Sequence, residues 1–186
     1  MIGFALTGSF CTIEKSIQIL KSLVDRGYDI IPIMSENVYN TDTRFGACKD
    51  IRKKIEELCD HEIIHSIVDA EPLGPKIKLD ALLICPCTGN TLAKIANGIT
   101  DTPVCMASKA HLRNNNPLII TLATNDALSA NLRNIATLLS RKNIYFTPMV
   151  QDDPKGKPHS LVADFDLVLP TLDSALKGDQ YQKIFI

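Results

Sequence analysis

No tryptophan occurs in the sequence, and aromatic residues make up only 5% of its 186 positions. A protein that holds single-stranded nucleic acid needs stacking rings along a basic groove. Here 20 Lys and Arg stand against 21 Asp and Glu, a formal charge of -1. Neither half of that requirement is met, so no nucleic-acid partner is expected. Long apolar runs are missing too. The longest central block, Ala81 to Cys85, ends at Pro86, far short of the ~20 residues that cross a bilayer. The first six residues, Met1 to Leu6, lack the basic start and full apolar stretch of a secretory leader. No membrane partner is expected, and the cytoplasm is the expected location.

The six cysteines (Cys11, Cys48, Cys59, Cys85, Cys87 and Cys105) include no CxxC pair and no Cys/His cluster at zinc spacing. Several fall in apolar runs, where cysteine behaves as a small hydrophobe. Reduced thiols, buried or lining a site, are therefore expected rather than disulfides or a metal centre, in keeping with a reducing compartment.

What is present is a repeated alternation of short apolar runs and helical stripes. Ile2 to Leu6 opens onto Thr7-Gly8-Ser9-Phe10, after which Ile13, Ile17, Leu20 and Val24 recur at helical spacing. Gly27 marks the end of that helix. Asp29 to Met34 reads as a second strand, with Pro32 casting its pairing as unusual. A helix through Ala47, Ile51, Ile55 and Leu58 follows, then a short strand at Glu62-Ile63-Ile64. Leu79 to Cys85 is the central strand, leading to a helix from Asn90 to Asn97 that ends at Gly98. Thr102-Pro103 is an N-cap with proline at the first helical position. Pro117 to Leu122 is another strand, Leu128 to Leu139 a helix, and Ile144 to Phe146 a last strand. Residues 151–158 form a surface loop. For 160–176, a helix and a strand followed by a helix both fit. No linker divides the chain, so a single domain spanning 1–186 is expected: a three-layer α/β, Rossmann-like or flavodoxin-like parallel sheet with helices on both faces.

In such sheets ligands bind beyond the carboxyl ends of the strands. Three strand exits carry polar residues beyond what a connector needs. Gly8-Ser9 precedes a helix and resembles a phosphate site, although it is neither a dinucleotide fingerprint nor a Walker loop. Pro86-Cys87-Thr88-Gly89-Asn90-Thr91 offers short donors and acceptors at four positions, where one helix cap would use only one. Ala123-Thr124-Asn125-Asp126 is the third. His61, His65 and His111 read as surface or packing residues.

The segment Pro86 to Asp101 resembles the P-x-[ST]-x-N-T-x-A-K-x-A-x-G-x-x-D stretch of the flavoprotein superfamily, which includes homo-oligomeric FMN-containing cysteine decarboxylases and flavin prenyltransferases. Gly8-Ser9 matches that group's phosphate loop. The resemblance implies FMN as cofactor, with Gly8, Ser9 and Phe10 at its phosphate and chain and Ser35 beside them. It implies that Cys87, Thr88, Gly89, Asn90 and Thr91 hold it from the neighbouring exit, and that Met106 and Ala107 face the ring, with core packing as the alternative for Met106. Two activities of the superfamily fit poorly. Prenyltransferases carry Arg-Glu where this chain has Ala123-Thr124. The decarboxylases' catalytic histidine precedes the central strand, from which the Glu71–Pro75 loop separates His65.

Within the superfamily, Val68 to Pro75, Cys85 to Thr91, Thr121 to Asp126, Val150 to Pro154 and Lys157 to Asp164 resemble the branch serving dipicolinate formation in sporulating bacteria. That resemblance implies dehydrogenation of a lysine-pathway dihydrodipicolinate-type intermediate. It implies a partner A subunit similar to nicotinamide-dependent oxidoreductases, and a homo-oligomer, trimer or dodecamer. A small dicarboxylate substrate would need donors, for which Asn125, Lys157 and His159 are the candidates. Another flavin enzyme of the cysteine decarboxylase type, or a non-catalytic nucleotide-binding subunit that stabilises its partner, also fits these residues.

Overall fold

The computed structural model describes residues 1–186. In chain order the elements are β1 (Ile2–Leu6), α1 (Ile13–Asp25), β2 (Ile30–Met34), α2 (Glu36–Asn40), α3 (Cys48–Cys59), α4 (Ile67–Ala70), β3 (Ala81–Cys87) and α5 (Gly89–Ala96). Then come α6 (Pro103–Leu112), β4 (Leu118–Thr124), α7 (Leu132–Leu139), β5 (Ile144–Phe146), β6 (Met149–Val150), β7 (Leu161–Ala163) and α8 (Val168–Ala175). Single 3-10 turns precede α1 and α8.

Strands β1 to β4 are almost wholly buried, as expected when both faces of a parallel sheet are covered. Side chains alternate between the two faces. Phe4, Leu6, Leu83 and Cys85 pack with α1, α3 and α8 on one side. Ala5, Leu82, Ile84 and Cys87 pack with α5, α6 and α7 on the other. The result is the expected three-layer α/β architecture.

The parallel strands run in the order β2-β1-β3-β4-β5, the flavodoxin-like arrangement, whose switch point lies between β1 and β3. The sheet is mixed, not wholly parallel. Strand β4 pairs in parallel with β5 along its first half, while its last residues pair antiparallel with β7, which in turn pairs with β6. Residues 160–176 thus resolve into a strand followed by a 3-10 turn and a helix. The expected strand at 62–64 is reduced to one bridge, Ile33 to Ile64. Pro32 is tolerated for the same reason. Met34, two residues on and facing the same way, donates to Ile64, so the absent N–H of Pro32 falls on the outer edge.

The helix ends follow the sequence signals. Gly27 and Gly98 close α1 and α5 in Schellman turns, with Tyr28 N–H donating to the Leu23 carbonyl and Ile99 N–H to that of Lys94. Thr102 caps α6 by accepting from Cys105 N–H at 3.2 Å, with Pro103 at the first helical position.

His111 joins α6 to the start of β4: it is 1% exposed, and its Nε2 lies 2.9 Å from the Pro117 carbonyl that accepts from it. Burial holds its pKa below the ordinary histidine value. A depressed folded pKa means that the unfolded chain binds the proton first. Stability is therefore full above the unfolded value of ~6.5 and declines as pH falls below it. Urea midpoints measured at pH 7.5 and 5.5 should show the lower value at pH 5.5. That gap should narrow in His111→Gln, which keeps a donor without titrating.

Candidate functional site

The exits of β1 and β3 are tied together by one side chain. Thr7, 1% exposed, donates from Oγ1 to the Pro86 carbonyl at 2.9 Å and accepts from Thr88 N–H at 2.8 Å. Its own N–H donates to the same Pro86 carbonyl at 3.2 Å. Two helical starts are thereby held side by side, the 3-10 turn that leads into α1 and the first turn of α5.

Their amide groups are left over. The backbone N–H groups of Gly8, Phe10, Cys11, Gly89 and Asn90 have no partner within the chain. A cluster of unpaired N–H donors at helix starts favours an anion. Thr88 caps α5, its Oγ1 accepting from Thr91 N–H at 3.3 Å and donating to Thr91 Oγ1 at 3.1 Å. Its polarity is thus explained by the helix. Asn90 is exposed and its side chain bonds to nothing in the chain.

A third exit completes the wall. Beyond β4, the Asp126 carboxylate accepts from Thr124 Oγ1 at 2.6 Å and from Asn131 Nδ2 at 2.9 Å to each oxygen. The Thr124 bond first, and then Asn131, hold Asp126 below the ordinary carboxylate pKa against the cost of burial. Asn134 donates to Asn131, and Asn97 to Asn134, so a chain of amides runs from the exit back to α5. Gly89 is pressed against this network. A Cβ there would lie 2.5 Å from Thr124 Oγ1, 2.6 Å from Asn131 Nδ2 and 2.9 Å from Asp126 Oδ1.

A cavity of ≈ 480 Å³ opens over these exits. Its wall includes Gly8, Ser9, Phe10, Thr88, Gly89, Asn90 and Asn125, with Arg44 and Phe45 on one side and Asp152 and Lys157 on another. Lys157 Nζ bonds Asp152 at 2.8 Å, and Ser160 Oγ donates to the same carboxylate at 2.9 Å. The lysine lowers the Asp152 pKa and is itself raised by it. A smaller cavity of ≈ 250 Å³ shares Gly8, Thr88 and Asn90 and adds Ser35, Thr91 and Lys94. Ser35 Oγ is the one buried side-chain polar atom without a hydrogen-bond partner.

Most residues singled out from the sequence are thus brought together around two adjoining cavities. Four are not. The Cys87 side chain is fully buried beneath the loop, and Ala107 is sealed in the core, both at 0% exposure. Met106 is partly buried against the same cluster. Within one chain none of the three lines either cavity: Cys87 ends β3 facing the core, and Met106 and Ala107 lie where α6 packs on the sheet. His159 is exposed and outside the cavity, although Lys157 two residues earlier lines it. His65 stacks on Tyr39 at 3.9 Å, away from the cavity wall. Burial pushes the Cys85 thiol up to about 12 and Cys87 higher still, so both stay protonated and inert at neutral pH. The residues missed are Arg44, Phe45 and Asp152, which come from loops without apolar periodicity.

Fold and site together define a doubly wound α/β protein with an anion cradle at its topological switch point. Residues 1–169 match the family described as Flavoprotein, and the chain belongs to that family. It is 49% identical over 185 residues to the B subunit of dipicolinate synthase from Bacillus subtilis strain 168, covering 100% of this chain and 92% of that protein. The crystal structure of the corresponding dipicolinate synthase B subunit from Bacillus halodurans superposes with a TM-score of 0.91 at 44% identity, over 100% of this chain and 95% of the other. The FMN-dependent cysteine decarboxylase SpaF shares the fold, at TM-score 0.69 and 21% identity over 95% and 94% of the two chains.

Gly89 gives a direct test of the wall. Gly89→Ala should cost about 1–3 kcal/mol, because the methyl group must displace a hydrogen-bonded network. Chemical denaturation should show it as a lowered midpoint, although alanine is otherwise preferred to glycine within a helix.

Proposed function

We propose that this chain is the B subunit of a dipicolinate synthase, binding FMN and taking part with an A subunit in dehydrogenating a dihydropyridine dicarboxylate during sporulation. The observation that carries the cofactor reading is the set of unsatisfied donors at the switch point. Five N–H groups and the orphaned Ser35 Oγ surround adjoining cavities. Leaving a buried polar group such as Ser35 Oγ unpaired costs about 1–3 kcal/mol, and the free N–H groups beside it at the helix starts favour an anion with acceptor oxygens. Full-length similarity to dipicolinate synthase B subunits supports the pathway.

In this reading Gly8, Ser9, Phe10 and Ser35 hold the phosphate end, and Asn90 and Thr91 the adjoining chain. Bound FMN would supply a two-electron acceptor for the hydrogen lost as the substrate ring becomes aromatic. The chain's own part is binding and orientation. Asn125 offers an uncommitted side-chain amide at the cavity wall, and Lys157 stays protonated beside Asp152. Asp126 remains ionised behind the wall, keeping the third exit rigid. Asp152, held below the ordinary range by Lys157, is a weak proton acceptor and serves as a strut for the loop. Assembly into trimers or dodecamers belongs to the same proposal.

The test joins a spectrum to an assay. Purified protein titrated with FMN should acquire a bound-flavin absorbance spectrum. Added to the A subunit, it should raise turnover of the lysine-pathway intermediate. Absence of flavin uptake together with no effect on turnover would overturn the proposal. Flavin uptake with release of carbon dioxide from a cysteine-terminated substrate would replace it with a decarboxylase.

A further inference from the structure

The strand-exit loops account for most of the cavity wall, but one side of it comes from a segment with no part in the sheet. Between α2 and α3 the chain makes a tight turn bridged by Thr43 and Gly46, each N–H donating to the other's carbonyl at 3.0 and 3.1 Å. Side chains of the same segment brace the turn as well. Phe45 N–H donates to Thr43 Oγ1 at 3.1 Å, and at its base Asp42 Oδ1 accepts from Cys48 N–H at 2.8 Å. Gly46 closes it at φ +144°, a conformation that side chains disfavour. The two residues at the tip are Arg44 and Phe45, and both line the cavity.

The two cations at the wall of this cavity differ in their partners. Lys157 is matched by Asp152 at 2.8 Å. Arg44 forms no ion pair and no side-chain hydrogen bond; its guanidinium lies over the Phe45 ring, 4.8 Å from the centroid. The Phe45 ring is 50% exposed. A planar cation and a planar ring are therefore presented together on a preformed tip. A guanidinium pairs with a carboxylate through two parallel hydrogen bonds, which an ammonium cannot match. An aromatic face beside it suits a flat ring bearing that carboxylate.

We propose that Arg44 and Phe45 form the specificity element for the substrate. Arg44 grips one carboxylate of a cyclic dicarboxylate, shared by the dihydropyridine substrate and its flat aromatic product, and Phe45 packs against the ring. The second carboxylate faces the Asn125 and Lys157 side of the cavity. This deepens the dicarboxylate part of the proposed function and is independent of whether flavin binds. Because the turn is closed by its own backbone bonds, the backbone that carries the pair is set before any ligand arrives.

Calorimetric titration of the full chain with pyridine-2,6-dicarboxylate and with pyridine-2-carboxylate tests the assignment, with FMN titration and the thermal midpoint as controls. The wild-type protein should bind the dicarboxylate at least about tenfold more tightly than the monocarboxylate, as one charge-assisted contact warrants. Arg44→Gln should lose that preference, and Arg44→Lys should recover it only in part. Phe45→Ala should weaken both ligands alike. FMN affinity and melting temperature should not change in any of the three. Unchanged dicarboxylate affinity in Arg44→Gln, a loss of FMN affinity instead, or no dicarboxylate binding by the wild type would each overturn the assignment. Arg44-dependent dicarboxylate binding without FMN uptake would leave it standing and remove the flavin reading alone.

Discussion

Thr7 ends β1 at 1% exposure, and what it touches decides the shape of everything above the sheet. Its hydroxyl both donates to Pro86 and accepts from Thr88 N–H, so the exits of two neighbouring strands cannot separate. A buried hydroxyl satisfied on both sides is stabilising, and it also removes Thr88 N–H from the pool of free donors. The amides that remain, at Gly8, Phe10, Cys11, Gly89 and Asn90, are set against one another at fixed spacing. An anion site made of backbone needs such a clamp, since each helix start alone offers only a diffuse attraction.

Around the clamp the wall is rigid for a second reason. Gly89 leaves no room beside Thr124, Asn131 and Asp126. The side of Gly89 where a Cβ would stand is filled by the protein's own polar network. Gly8 differs. A Cβ there would make only ordinary contacts with Phe10 and Asn37, at 3.5 Å or more. Of the two glycines, Gly89 is the one that the packing of the wall requires.

How much of this could be read before the structure depends on the kind of signal. The alternating strands and helices of the parallel half, the Gly27 and Gly98 stops and the Thr102-Pro103 cap rest on local chemistry and are legible. The β6–β7 ribbon is not. Two and three residues are too few to show a period, and their pairing with β4 is long-range. At the site, Gly8, Ser9, Asn90 and Asn125 were legible because they follow apolar strands directly. Arg44 and Phe45 were not, since a two-residue turn is held by backbone bonds that leave little mark on composition. Met106 and Ala107 point into the layer beneath α6, and Cys87 lies under its own loop. Such directions depend on helix rotation and strand parity, which a motif does not specify.

The central claim is that backbone donors at the clamped strand exits recognise a flavin through its phosphate. Comparing FMN with riboflavin, which differs by that phosphate alone, addresses it most directly. Fluorescence titration of the full chain should give an FMN affinity at least about a hundredfold above that for riboflavin, equivalent to two or more charge-assisted hydrogen bonds. Equal affinities for the two, or no binding of either, would contradict the account.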